Sequence, residues 1–211
     1  MIRQILWLSM FVLSAFASAS CTMALWSKPD IVIEQASVKP GESVTKKGTA
    51  IKLMGTPLQE GGAFTLTGLT DAATMKPVDL SELKGAVLFV SVVPSIDTKV
   101  CEEQTHYLGE EGDRLSPGIT RITVSRDTPF AQNRFAEEAK LTDIRYLSDY
   151  KQGDFGRATG LLMDGPMLLA RSVILVDKEG VVRYIQVVPE ITHLPDMEAA
   201  FSRAEELLKE K

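Results

Sequence analysis

At 211 residues the chain is long enough for one domain with a full core plus an appendage, and two domains would be cramped. Its composition, 45% hydrophobic and 24% charged, is that of a globular protein, and a formal net charge of −5 without a long basic run argues against a nucleic-acid binder. The only cysteines are Cys21, at the edge of an apolar leader, and Cys101, so an internal disulfide framework is excluded for the folded domain.

Arg3 supplies a short positive start, Ile5 to Phe16 is nearly all apolar, and small residues fill Ala15 to Ser20. Residues 1–20 therefore read as an export signal, because the apolar run falls short of the roughly 20 residues that a spanning helix needs. Ala17-Ser18-Ala19 fits cleavage before Ser20. Alternatively, Ser18-Ala19-Ser20-Cys21 resembles a relaxed bacterial lipobox that would make Cys21 an acylated first residue and tether the chain to a membrane through lipid. Ser18 weakens that second reading, yet a cysteine ending an apolar signal segment favours it slightly. Residues 21–43, with Pro29, Pro40 and Gly41 and no periodicity, are expected to form a tether, and residues 44–211 the domain.

Ser43–Leu53 predicts a hairpin about Lys47-Gly48, Phe64–Thr67 a short strand with Phe64 and Leu66 in the core, and Thr70–Ala73 a turn. A helical turn is expected over Asp79–Gly85. The apolar run Gly85–Ser91 then reads as a fully buried strand that feeds the loop Val92–Val100. Pro94 breaks regular pairing there, Ser95 and Asp97 are suitable helix caps, and a helix is expected from about Cys101 to Gly112. Further on, Ile119–Ser125 is a strand, Phe130–Lys140 a helix with Asp127 as its cap, Ile144–Asp149 a strand, and Asp154–Gly160 a short helix ended by glycine. After the turn Asp164-Gly165-Pro166, strands Arg171–Asp177 and Val181–Val188 form an antiparallel hairpin, and Asp196–Lys209 closes the chain with an amphipathic helix. This order, βαβα then ββα, predicts an α/β, thioredoxin-like fold: a central mixed sheet flanked by helices, with an N-terminal β-hairpin.

Cys101 falls in a helix's first turn, where unpaired N–H groups and the positive end of the helix dipole favour the nucleophilic thiolate. Thr98, three residues earlier, shares its face. A redox Cys-x-x-Cys is excluded because positions 98 and 104 carry Thr98 and Gln104. His106 and His193 raise a Cys–His hydrolase or transferase as a rival, but His106 is awkwardly offset from Cys101 and His193 lies among turn residues; both read as surface residues. Cys and His pairs at zinc-ligand spacing are absent.

Pro94-x-x-x-Thr98-x-x-Cys101 resembles the peroxiredoxin active-site motif, and Pro-Ser-Ile-Asp-Thr-x-x-Cys is similar to the form found in the bacterial thiol peroxidase subfamily. Thr128–Phe135, Asp164–Pro166, Leu169–Val173 and Glu190–Thr192 are also similar to that subfamily, in the expected order, so the resemblance spans roughly residues 44–211. It implies a thiol-dependent peroxidase in which Cys101 attacks the peroxide, Thr98 hydrogen-bonds sulfur and peroxide, Pro94 shields the pocket, and Arg171 stabilises the thiolate. Arg134 and Arg157 are weaker candidates. The implied partners are a peroxide substrate, an external thiol reductant (a thioredoxin-like protein or a small thiol) and a second copy in a homodimer. Phe130 and Met163 would lie in that interface or in the core. No cofactor is implied, and the leader places the protein in the bacterial periplasm or cell envelope.

One position departs from the subfamily. Its resolving cysteine directly follows the Arg-Phe pair of the second helix, and here Ala136 follows Arg134-Phe135. A one-cysteine mechanism is therefore expected, the alternative being a thioredoxin-fold redox sensor or interaction module that has lost turnover.

Overall fold

The computed structural model of the protein describes residues 31–65, 67–78 and 83–210. In chain order the elements are β1 (Ile33–Glu34), β2 (Ser43–Lys46), β3 (Thr49–Met54), β4 (Thr70–Asp71), β5 (Val87–Val92), α1 (Lys99–Glu110), β6 (Ile119–Ser125), α2 (Pro129–Ala139), β7 (Arg145–Ser148), α3 (Asp154–Thr159), β8 (Leu162–Met163), β9 (Ser172–Val176), β10 (Val182–Val187), β11 (Leu194–Pro195) and α4 (Met197–Lys209). Six strands form the main sheet in the order β10-β9-β5-β6-β7-β4. β5, β6 and β7 run parallel, while β9, β10 and β4 pair antiparallel with their neighbours. This is the expected mixed sheet of a thioredoxin-like fold.

β5 is buried along its whole length, which is why its sequence is an unbroken apolar run rather than an alternating one. Its successive side chains feed opposite layers. Leu88, Val90 and Val92 join a core with Val44, Leu53, Phe64 and Phe155 on the side of the hairpin and α3. Val87 and Phe89 join Leu108 of α1, Ala136 of α2 and the α4 stripe Met197, Ala200, Phe201, Ala204 and Leu207. Each large apolar side chain so buried contributes about 1.5–3 kcal/mol, so the two layers together hold the helices and the hairpin against the sheet.

The N-terminal hairpin turns at Lys47 and Gly48, both with positive φ (50° and 79°), the two-residue turn whose twist matches the strands it joins. The short strand expected over Phe64–Thr67 is not formed at the described residues there: Ala63 alone bridges Val181, and Phe64 N–H donates to Gly180 O while its ring fills the core. Thr70-Asp71, read as a turn, is instead the edge strand β4 against β7. Met163 is 1% exposed and belongs to the core, whereas Phe130 is 72% exposed. The expectations for the leader, Cys21, Leu66 and Asp79–Glu82 lie outside the described residues. Of the segment expected to be a tether, residues 31–43 pack along the domain: β1 pairs in parallel with β11, and Val38 bridges Val187.

Glu190 ties the hairpin to the loop after β10. Its carboxylate accepts from Thr45 Oγ1 (2.9 Å), Gly48 N–H (3.2 Å) and Thr192 Oγ1 (2.8 Å). Burial alone would raise its pKa, but the donors of Thr192, Lys47, Gly48 and Thr45 together outweigh burial and bring it down to about 2. A carboxylate depressed on folding stabilises fully above its unfolded value near 4.5, and that contribution is lost as pH falls towards 2. Allowing for solvent screening at this half-buried position, Glu190→Gln is expected to remove about 1–2 kcal/mol at pH 7, lowering Tm by roughly 3–6 °C. Between pH 5 and 2.5 its Tm should then fall less steeply than that of the wild type, and parallel slopes in a calorimetric pH series would contradict this.

Candidate active site

Cys101 is the third residue of α1, and its first turn is closed by Cys101 N–H and Glu102 N–H donating to Thr98 O (both 2.9 Å). The capping position is Thr98, in extended conformation, rather than the expected Ser95 or Asp97. The reason is that these side chains are engaged elsewhere. Ser95 Oγ donates to Asp127 Oδ1 (2.7 Å) and Asp97 pairs with Arg134 at 3.4 Å.

Thr98 makes no capping hydrogen bond; its Oγ1 lies 3.0 Å from Cys101 Sγ and 3.2 Å from Ser95 O. One hydroxyl proton can serve only one of these acceptors at a time. It points to an ionised sulfur, or to Ser95 O while the oxygen accepts from a neutral S–H. Thr98 can thus follow the protonation state of Cys101 without moving its heavy atoms.

The second donor arrives from the neighbouring strand of the sheet. Arg171, immediately before β9, is 2% exposed, and its Nη2 lies 3.2 Å from Cys101 Sγ. Its Nε donates to Ile191 O (2.9 Å), and its Nη1 to Gln104 Oε1 (2.7 Å) and Val100 O (3.3 Å). A guanidinium carries five N–H hydrogens. Four are used by these partners, and among the described residues the remaining Nη2 hydrogen, beside the sulfur, has no acceptor. That hydrogen is placed to bind an oxygen arriving at Sγ.

Cys101 itself is fully buried, in a small cluster with Val93 and Ile96 against which Phe135 packs. Pro94 is buried at the end of β5. The pocket combines an apolar wall with two donors aimed at one sulfur, which stabilises negative charge there and excludes bulk water.

Two further residues organise the site. Gln104, one turn after Cys101, is fully buried; its Nε2 donates to Ser91 Oγ (2.8 Å) on β5 while its Oε1 holds Arg171. Its i+3 spacing from Cys101 was the available sign. Asp127, expected as the cap of α2, leaves that role to Thr128, whose hydroxyl accepts from Ala131 N–H. Its carboxylate instead clamps the active-site loop, taking Ser95 Oγ on one oxygen and Ile96 N–H (2.8 Å) on the other. The clamp is a consequence of topology. β5 and β6 are adjacent and parallel, so the loops leaving their C-terminal ends emerge side by side.

The remaining candidates stand apart. His106 pairs with Glu110 (2.9 Å) and packs edge-on to Phe135, and His193 pairs with Glu34 (3.2 Å). Arg157 is exposed on α3, and Arg134 is 57% exposed.

Fold and site together define a thioredoxin-like domain built around one buried cysteine held by a hydroxyl and a guanidinium. The chain belongs to the Redoxin family, whose profile matches residues 47–201. It is 40% identical over 167 residues to the thiol peroxidase of Halalkalibacterium halodurans, covering 79% of this chain and 99% of that one. Against the thiol peroxidase of Bacillus subtilis the identity is 37%, covering 79% and 98%. Among solved structures, the peroxiredoxin-like protein from Aquifex aeolicus superposes with a TM-score of 0.70 at 31% identity, over 79% of this chain and 97% of that one.

Loss of one hydrogen bond to a charged group removes about 1.5–3 kcal/mol, or roughly 10–150-fold in rate. Thr98→Val is therefore expected to slow peroxide oxidation of Cys101 by that factor in stopped-flow assays, and an unchanged rate would show that the hydroxyl does not act on the sulfur. Asp127→Ala should slow the same step roughly 10-fold by freeing the loop, with Asp127→Asn, which keeps an acceptor for Ser95, recovering part of the rate.

Proposed function

We propose that this chain is a thiol-dependent peroxidase that reduces hydrogen peroxide or an alkyl hydroperoxide through a sulfenic acid on Cys101, which an external thiol then recycles. The observation that carries this reading is the meeting of Thr98 Oγ1 and buried Arg171 Nη2 on one sulfur, at 3.0 and 3.2 Å. In the first step the thiolate attacks one peroxide oxygen and the O–O bond breaks. Sulfur gains that oxygen as Cys101–SOH, and the departing oxygen leaves as water or an alcohol after taking a proton. Arg171 binds and polarises the peroxide, Thr98 orients sulfur and oxygen, and Pro94 keeps water out.

In the second step a thiol attacks the sulfenic sulfur, forming a mixed disulfide and releasing water. A second thiol then frees the Cys101 thiolate and leaves the reductant as its disulfide. Two features support an external source for these thiols. Cys101 is the free cysteine among the described residues, and Ala136 occupies the position where the resemblance implies a resolving cysteine. The reductant is a small thiol or a thioredoxin-like protein. A homodimer belongs to the same reading, with the exposed Phe130 at its interface. So does export to the bacterial periplasm or cell envelope, directed by residues 1–20 with Cys21 as the lipid-bearing residue.

Intact-mass spectrometry of the protein from its native envelope, before and after one equivalent of hydrogen peroxide, tests the scheme. A single-oxygen gain that disappears in Cys101→Ser, followed by many turnovers on adding a thiol, is the expected result. An unchanged mass would overturn the peroxidase reading, and one oxidation without turnover would leave a sensor. An acylated chain beginning at Cys21 is the expected starting species, and a bare chain beginning at Ser20 would refute the lipid tether.

A further inference from the structure

The active-site arginine depends on a segment that lies outside the family match. Arg171 Nε donates to Ile191 O (2.9 Å), and Arg171 O accepts from Val188 N–H (2.9 Å). Both partners lie between β10 and β11, on a loop whose middle is braced by β2, where Thr45 N–H donates to Pro189 O (2.6 Å) and Ile191 N–H to Thr45 O (2.9 Å). Its two ends are bound by the same piece of chain, residues 32–38, which precede the matched region beginning at residue 47.

At the β10 end, Val187 N–H donates to Ser37 Oγ (3.0 Å) and Val38 N–H to Val187 O (3.0 Å). At the β11 end, Leu194 N–H donates to Val32 O (2.8 Å), Ile33 pairs with Leu194, and His193 meets Glu34. Gln186, 2% exposed, joins both ends to the strap: its Nε2 donates to Glu34 O (2.6 Å) and Ala36 O (3.3 Å), and its Oε1 accepts from Asp196 N–H (2.9 Å). A buried amide whose donors and acceptor are all used in this way specifies one arrangement of the three segments it joins.

We propose that residues 32–38 are a strap that fixes the seat of Arg171, with Ser37 and Gln186 as positioning residues for reaction at Cys101. By holding the loop ends together, the strap keeps Ile191 O at the distance that aims the guanidinium at Sγ. Releasing it leaves the loop held from the hairpin side alone, through Thr45 and Glu190, so that Ile191 O is less closely fixed and the sulfur loses its second donor for part of the time. The proposal rests on the reading of Cys101 as the peroxide-reactive sulfur.

The test uses the full chain carrying Ser37→Ala with Gln186→Glu, a pair that removes the strap's acceptor for Val187 N–H and the amide donors to Glu34 O and Ala36 O while keeping an acceptor for Asp196 N–H. Hydrogen exchange of the Val187 and Leu194 amides reports release of the strap. The rate of Cys101 oxidation by hydrogen peroxide and the pH profile of its alkylation by iodoacetamide report the sulfur. Faster exchange is expected together with oxidation slowed roughly 10-fold, the size of one hydrogen bond, and an alkylation profile moved to higher pH. Ser37→Thr alone, which keeps the hydroxyl and leaves Gln186 in place, should match the wild type in both readouts, and Arg203→Ala on α4 should change neither. Faster exchange with rate and profile within twofold of wild type would overturn the proposal, because it would show a merely structural strap. Unchanged exchange would equally remove Ser37 and Gln186 from the role. If the wild type is not oxidised at all, the peroxidase reading fails, and the alkylation profile still decides whether the strap acts on the sulfur.

Discussion

A guanidinium buried to 2% exposure is the constraint around which this molecule is built. An unpaired charge in that position would destabilise the fold by several kcal/mol, so the surrounding chain must bring acceptors to Arg171. It does so from two segments: Ile191 O from the loop after β10, and Val100 O, Cys101 Sγ and Gln104 Oε1 from α1. None of these bonded partners is a carboxylate. Among them the sulfur is the group that can carry negative charge, and the guanidinium 3.2 Å away is placed to stabilise it.

The rest of the architecture follows from delivering those groups to one point. β5 is apolar on both faces because it carries the loop of Pro94 and Thr98 through the middle of the sheet, and its neighbour β9 begins one residue after Arg171. Adjacent pairing of these two strands sets Val92 opposite Ser172, so the cysteine loop and the arginine share one edge. Asp127, leaving β6 at that edge, then holds the loop by two hydrogen bonds. Peroxide chemistry is served by this closure. The sulfur is fully buried within it.

Much of this was legible in the residues. Unbroken apolar runs marked β5 and β9, the pair Lys47-Gly48 marked the hairpin turn, and the stripe of Met197, Ala200, Phe201, Ala204 and Leu207 marked α4, because periodicity and turn chemistry act over a few residues of chain. The position of Cys101 in a helix's first turn was equally local. Other features were not, and they share one property. Asp127 bonds to a loop 31 residues away, Gln104 meets an arginine 67 residues away, and Gln186 binds a strap 152 residues away. A carboxylate beside a helix start is a cap by every local rule, and Asp127 fails to be one only because the parallel pairing of β5 and β6 puts Ser95 and Ile96 within its reach. The sequence by itself determined the main strands and helices, their order and the candidate sulfur at the start of α1. Only the tertiary structure decided which polar groups hold that sulfur, since those hydrogen bonds join segments that nothing but the fold brings together.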